Sequence, residues 1–587
     1  VVDPNHYFEA NDPDALVSVA YQRGPNGSAG DKAASVATAS LALGAVDETP
    51  SSKLHTYSAN GVTFDYVAQA GHLLVSAPKT SSAAANACSQ GNANPANGGP
   101  EASIFYMAYT RNDLPANQRP ITFVWNGGPG EPSIWLHLGS WAPKYLAANA
   151  PNLTPGPNNI PDNFPLVDNP DTLLDQTDLV YVDIVGSGFS EAVAPYTNQD
   201  LWSTNCDAQV FRDFITAYIN KNNRQSSPKY LYGESYGGIR TPIVANLLVQ
   251  QGTSRYAPDP SGQPPVVLTG ITLQSPILDY YTRDDNAVPT AAMTADYYGK
   301  STARGSMSET AYANYLRSFM ADRYSPYWNV FWNTDATTMP GTQLITTLSQ
   351  ITGLSSQTLT SQSDFGGVIA SPYAVAGMIN YDAGDIFTYQ FRTVLYPNAQ
   401  SSDISFNAYD LRVSSTNPAL AVKIPNGNGN LISNYEDAAF FGAIKTHLLD
   451  DFNYQPQLPT QLYGADVAGS LWNYNHTARG TDNRVTDASL PDLVQALTLA
   501  PDLRVMVIHG YHDAVCTFYN SELDLENGGA LPSFANRISI QDFDGGHMVY
   551  LTNSSRDPMR ASLRTFYQGT LPASMVPPSA SASIAAR

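Results

Sequence analysis

The chain has 587 residues, 43% hydrophobic and 14% charged, a globular balance with length enough for a large core or a core plus an inserted domain. Its 51 acidic against 30 basic residues leave a net charge of −21, a surface that repels nucleic-acid backbones and anionic lipid, so neither is expected as a partner. No apolar run reaches bilayer-spanning length, so no membrane span is expected and the chain reads as soluble.

The chain opens on Val1 rather than Met, which suggests a removed leader or a trimmed start, and a secreted or periplasmic location. The acidic surface suits an acidic working medium, or serves only to keep a secreted protein in solution. Residues 1–60 are mixed and rich in small side chains, and read as a partly irregular N-terminal extension. The first part of the core is expected over 61–282, where the Ala/Asn/Gly/Ser stretch 81–100 reads as a surface loop. Short apolar runs bounded by Gly, Pro and Asp at 121–125, 179–184, 229–232 and 266–273 read as buried parallel strands, and 239–250 has helical spacing.

From 283 to 481 the texture changes. Tyr, Trp and Asn are dense, helical spacing appears over 309–324, and clear strands are scarce, which predicts an inserted, largely helical cap. The core resumes over 482–572 with strands at 504–508 and 537–543, and 573–587 reads as a poorly ordered tail. Strands alternating with helices predict an α/β fold with a central, mostly parallel sheet.

Three cysteines, Cys88, Cys206 and Cys516, allow at most one bridge and one free thiol. Their spacing fits no zinc signature; no metal and no organic cofactor are expected. Glycosylation sequons begin at Asn26, Asn152, Asn475 and Asn553 and carry meaning only in a host that glycosylates.

The chemistry centres on Gly233-Glu234-Ser235-Tyr236-Gly237, a G-x-S-x-G with a strand before it and a helix after it. So tight a strand-to-helix turn needs small residues around the Ser and projects its hydroxyl above the sheet edge, the nucleophile elbow of an α/β-hydrolase fold. A serine hydroxyl needs a base, and in that fold the partners follow in the order Ser, acid, His. Strand 504–508 leads to Asp513, and strand 537–543 leads to Asp544-Gly545-Gly546-His547, so Ser235, Asp513 and His547 are the expected triad. His512 precedes the acid and is read as structural.

The motifs Trp125-Asn126-Gly127-Gly128-Pro129-Gly130, Asp183-Ile184-Val185-Gly186-Ser187-Gly188-Phe189-Ser190, Gly233-Glu234-Ser235-Tyr236-Gly237-Gly238, Asp513 and Gly545-Gly546-His547-Met548 resemble the serine carboxypeptidase family, its bacterial members above all. Segments 104–110, 168–178 and 289–292 agree, and the resemblance runs from about 60 to 570. It implies release of single C-terminal residues from peptides or proteins through an acyl-enzyme. By that likeness the N–H groups of Gly128 and Tyr236 form the oxyanion hole, and Asn126 and Glu234 bind the substrate carboxylate. A Glu beside a carboxylate must be protonated, which implies an acidic optimum for peptides. Glu131-Pro132 stand where eukaryotic members usually carry a Cys, so that disulfide is not expected. Trp135-Leu136-His137-Leu138-Gly139 lacks the second Glu of those members. His137 either touches the carboxylate site or packs structurally. Cys516 is either a thiol near the substrate pocket or a buried, inert one.

Two other readings remain open: an acyltransferase or esterase using the same triad, and a catalytically silent binding protein. The second is disfavoured because Ser, His and the oxyanion Gly are all in place. The sequence does not decide between monomer and homodimer.

Overall fold

The computed structural model describes residues 36–78, 98–151, 165–280, 287–327, 341–361, 394–397, 405–415, 431–455, 471–478 and 485–576. Cys88 and the sequons at Asn26 and Asn152 lie outside these residues, as do nearly all of the expected loop 81–100 and most of the expected tail.

Nine main strands build one sheet: β1 (Ser51–Ala59), β2 (Val62–Ala77), β3 (Gly99–Arg111), β4 (Ile121–Trp125), β5 (Asp178–Val182), β6 (Lys229–Glu234), β7 (Gly270–Gln274), β8 (Arg504–Gly510) and β9 (Ile538–Phe543). Their order is β1-β2-β3-β5-β4-β6-β7-β8-β9, and the two-residue strand Glu191–Ala192 pairs with β3 as the tenth member. From β5 to β9 every pairing is parallel; β1, β2 and β3 join antiparallel. With helices on both faces this is an α/β-hydrolase architecture.

Side-chain alternation explains how the parallel half is buried on both faces. In β4, Phe123 and Trp125 join one apolar cluster while Val124 joins the other. In β8, Val505 and Val507 go to the first, Met506 and Ile508 to the second.

Most expected strands fall within two residues of the observed ones, with one shift. The run 266–273 begins pairing as a strand only at Gly270, because the Val266 N–H turns to the Gln225 carbonyl at 2.9 Å instead. The antiparallel strands β1 to β3 were not foreseen. β2 exposes alternate residues at its start, so it lacks the continuous apolar run that marks a buried strand. The boundary expected at residue 60 falls inside the β1–β2 hairpin.

Between β7 and β8 the described residues are mainly helical: Val288–Tyr297, Glu309–Phe319, Thr342–Thr352, Ser356–Ser361 and Leu431–Phe452. Helix Glu309–Phe319 starts at Ser308, whose hydroxyl accepts the Ala311 N–H, and passes into a wider turn at Met320–Tyr324. This region has its own apolar cluster, including Leu316, Phe319, Leu348 and Phe406, shared with Tyr511, Phe518 and Tyr519 from beyond β8. An ionic staple reinforces that junction. Arg317 donates to both oxygens of Glu522 at 2.8 and 2.6 Å and also contacts Asp542 at the end of β9.

Candidate active site

The C-terminal ends of β4, β6, β7, β8 and β9 share one sheet edge; Asn126, Gly128, Ser235, Tyr236, Asp513 and His547 follow these ends, and Glu234 is the last residue of β6. β6 ends at Glu234. Ser235 then takes φ 63° and Gly237 opens a helix running to Gln251. A non-glycine residue in left-handed backbone costs about 1 kcal/mol or more, so the turn around it must hold it there. The Ser235 N–H donates to Gln274 O at 3.1 Å, and its carbonyl accepts from Gly238 and Ile277 at 2.8 and 3.0 Å. Within 231–240 every residue is buried except Ser235, which is partly open.

Asp513 is fully buried and fixed by two kinds of donor. Oδ1 accepts the N–H groups of Val515 and Cys516 at 2.8 and 3.0 Å, and Oδ2 lies 2.7 Å from Nδ1 of His547. Burial alone would lower the His547 pKa, but Asp513 and Cys516 together outweigh it and hold the imidazole well above its ordinary value. Ser275 steadies the same residue by donating to the His547 carbonyl at 2.7 Å.

Cys516 sits between the two reactive side chains, its thiol within hydrogen-bond reach of the His547 imidazole and the Ser235 hydroxyl. Burial pushes that thiol up, so it stays neutral. Cys516 is thus both buried and adjacent to Ser235 and His547, a placement that meets part of each reading. Asp513, Cys516 and His547 also offer ligand atoms within 4.8 Å of one another. A second such set, His509, Glu522 and Asp542, is threaded by the Arg317 guanidinium, whose charge opposes a cation.

Asn126 and Glu234, 108 residues apart in sequence, meet: Asn126 Nδ2 donates to Glu234 Oε1 at 2.6 Å. Asn126 Oδ1 accepts the Leu136 N–H at 2.9 Å, and Arg240 Nη1 donates to the Asn126 carbonyl at 2.6 Å. Glu234 is buried, and burial pushes its pKa up to about 7 against the His547 charge and its hydrogen bonds.

Gly128 is partly open, like Ser235, in an otherwise buried stretch 121–130. Its φ is 105°, and a Cβ there would lie 2.6 Å from Gly130 N and 2.8 Å from Glu131 N. The requirement for glycine at 128 therefore comes from the turn itself, and not only from room for a substrate. Gly127, which the sequence reading passed over, is the residue packed on the elbow: a Cβ there would lie 2.4 Å from Tyr236 N and 2.7 Å from Glu234 O.

The rival residues find other partners. His512 Nδ1 pairs with Thr294 Oγ1 at 3.2 Å and its Nε2 lies 3.5 Å from Asp544. His137 Nε2 bonds the Tyr109 hydroxyl at 2.7 Å, with its ring against Tyr181 and His447. It is a packed histidine, and burial holds it well below its ordinary pKa.

A further contributor comes from the region between β7 and β8. A hairpin of Ser405–Phe406 and Ser414–Ser415 lies across both catalytic loops. The Tyr409 carbonyl accepts the His547 N–H at 2.5 Å, the Leu411 N–H reaches His512 O, and the Ala514 N–H reaches Ala408 O, each at 3.0 Å. Tyr409 also sets its ring edge to face against His547, with centroids 5.2 Å apart. No local pattern in the sequence pairs 405–415 with these loops. Gln274 and Tyr550, which bond Glu234, did leave a signal: one directly follows the predicted strand 266–273 and the other follows His547 by three residues.

The fold and this edge define an α/β hydrolase with a serine at its elbow. The serine carboxypeptidase family profile matches residues 95–527, and the chain belongs to that family. Among its relatives, serine carboxypeptidase-like 1 of Arabidopsis thaliana is 25% identical over 193 residues, covering 32% of this chain and 40% of its own. The pheromone-processing carboxypeptidase KEX1 of Metarhizium robertsii is 27% identical over 157 residues, 26% of this chain and 22% of its own. The chain thus spans 40% or less of the length of these curated relatives. The solved prohormone-processing carboxypeptidase of Saccharomyces cerevisiae is 14% identical, with a TM-score of 0.48 over 86% of this chain and 91% of that one.

Proposed function

We propose that the protein is a serine carboxypeptidase that releases C-terminal residues from peptides through an acyl-enzyme. Ser235 attacks the last peptide carbonyl as His547 takes its proton. The C–N bond then breaks, His547 returns the proton to the departing amino acid, and water repeats the sequence to free the acyl group. Asp513 orients the imidazole, and the N–H groups of Gly128 and Tyr236 receive the developing oxyanion. The observation that carries the reading is the buried Asn126–Glu234 pair beside the nucleophile. A general esterase has no use for a protonatable carboxyl there, whereas a substrate carboxylate needs one as a donor.

Burial puts Glu234 near 7, so in an acidic medium its carboxyl holds a proton and can donate to the substrate carboxylate. Peptide turnover then falls on the alkaline side as Glu234 loses its proton, which places the peptide optimum below that of esters. The net charge of −21 is in keeping with an acidic, extracytoplasmic setting. Glu131-Pro132 and the stretch 135–139 favour kinship with bacterial members.

The test is a timed peptide digest read by mass spectrometry, with fluorophosphonate labelling of Ser235. Residues leaving singly from the C-terminus support the reading; internal cleavage, or no labelling, overturns it. Capture of the acyl group by an alcohol is the second reading, since an acyl-enzyme yields to either nucleophile. A blocked dipeptide compared with its C-terminal amide and a plain ester separates the two.

A further inference from the structure

Glu234 and Gln274 are register partners on the parallel strands β6 and β7, side by side at the sheet edge. Gln274 Nε2 lies 2.6 Å from Glu234 Oε2, and Gln274 Oε1 lies 2.5 Å from the Tyr232 hydroxyl. That hydroxyl in turn lies 3.2 Å from Nε1 of Trp141. All four side chains are buried.

The direction of this chain is forced. An indole N–H only donates, so the Tyr232 oxygen is the acceptor and its single hydrogen goes to the carbonyl end of Gln274. The amide end of Gln274 must then face Glu234. Asn126 is locked in the same sense, because its Oδ1 accepts the Leu136 backbone N–H and leaves Nδ2 for Glu234. Two of the atoms bonded to Glu234 therefore donate and cannot accept. The third, the Tyr550 hydroxyl at 3.3 Å, can accept as well as donate. His547 and Asp513 supply the formal charges acting on the group.

We propose that Gln274 is a positioning residue: with its amide direction imposed from Trp141 through Tyr232, it keeps an N–H on Glu234 and turns the Glu234 proton away from the sheet toward the substrate carboxylate. This rests on the reading of Glu234 as the carboxylate-binding group. A proton on Glu234 has no acceptor among the amides that hold it, so the substrate carboxylate competes only with the weakly placed Tyr550 hydroxyl. The same N–H stabilises the ionised form and limits how far burial can raise the group.

The test compares kcat/KM against pH for a blocked dipeptide and for a matching ester, in the native enzyme and in Gln274→Leu, Tyr232→Phe and Glu234→Gln. Loss of one N–H to a carboxylate in Gln274→Leu moves the alkaline limb of the peptide profile up by about one pH unit and leaves the ester profile in place. In Tyr232→Phe the amide is free to rotate and accept the Glu234 proton. The peptide KM then rises about tenfold, with kcat and the ester KM unchanged, and this variant carries the test if Gln274→Leu does not fold. Should Glu234→Gln abolish the alkaline limb while neither other variant moves limb or KM, the positioning role is wrong and the site reading stands. If Glu234→Gln leaves the limb unchanged, both fall.

Discussion

Asn126 Nδ2 and Glu234 Oε1 lie 2.6 Å apart although 108 residues of chain separate them. The contact joins the loop after β4 to the last residue of β6, neighbouring parallel strands whose register sets Trp125 opposite Gly233. It places a buried carboxyl next to Ser235.

Replacing that carboxyl by an amide gives the first prediction. Glu234→Gln keeps a donor at every pH, so the alkaline fall in peptide kcat/KM around pH 7 disappears while ester turnover keeps its profile. Steady-state rates from pH 4 to 9 on both substrates check this. An alkaline limb that survives in the variant removes Glu234 from substrate binding.

The same group carries a stability consequence. Its folded pKa of about 7 exceeds the ordinary 4.5, so the folded state holds the proton more tightly than the unfolded chain. Its contribution is fully present below about pH 4.5 and is lost as pH rises through 7. Glu234→Gln should therefore gain stability relative to the native chain between pH 4 and pH 8, by on the order of 2–3 kcal/mol. Urea unfolding at both pH values reads it; an equal difference at the two would contradict the shift.

Gly127→Ala tests the packing of the turn against the elbow. The added methyl would lie 2.4 Å from Tyr236 N, a backbone atom that cannot move without displacing Ser235. Overpacking of this kind costs about 1–3 kcal/mol. Because the strain falls on the nucleophile, fluorophosphonate labelling should slow by more than about tenfold, a loss of only ~1.4 kcal/mol of transition-state stabilisation. Native labelling rates in a folded variant would show that the turn is not tuned to the elbow.

His512 and His547 make a matched pair of controls. His512 is bonded to Thr294 and lies near Asp544, away from the chemistry. His512→Gln should keep kcat within about threefold, whereas His547→Gln should lose roughly six orders of magnitude, as removal of a triad base does. Equal losses in the two folded variants would reopen the choice of base.

The sequence determined the parts of this protein that local chemistry dictates. Continuous apolar runs marked β4, β5, β6 and β8 because strands buried on both faces leave little room for alternation, and β9 showed through the spacing of Ile538, Ile540 and Phe543. A strand, an elbow and a helix in succession marked Ser235, and chain order marked Asp513 and His547. Tertiary structure decided the rest. The partly exposed strands β1 and β2 carry a weaker pattern that pairing with each other and with the buried β3 completes. The partners that set protonation are brought in by register and packing: Gln274 beside Glu234, Cys516 between Ser235 and His547, Tyr409 on the His547 N–H. A residue type reveals what it can donate or accept; which atom it faces, and how far burial moves its pKa, depends on distant segments meeting in space.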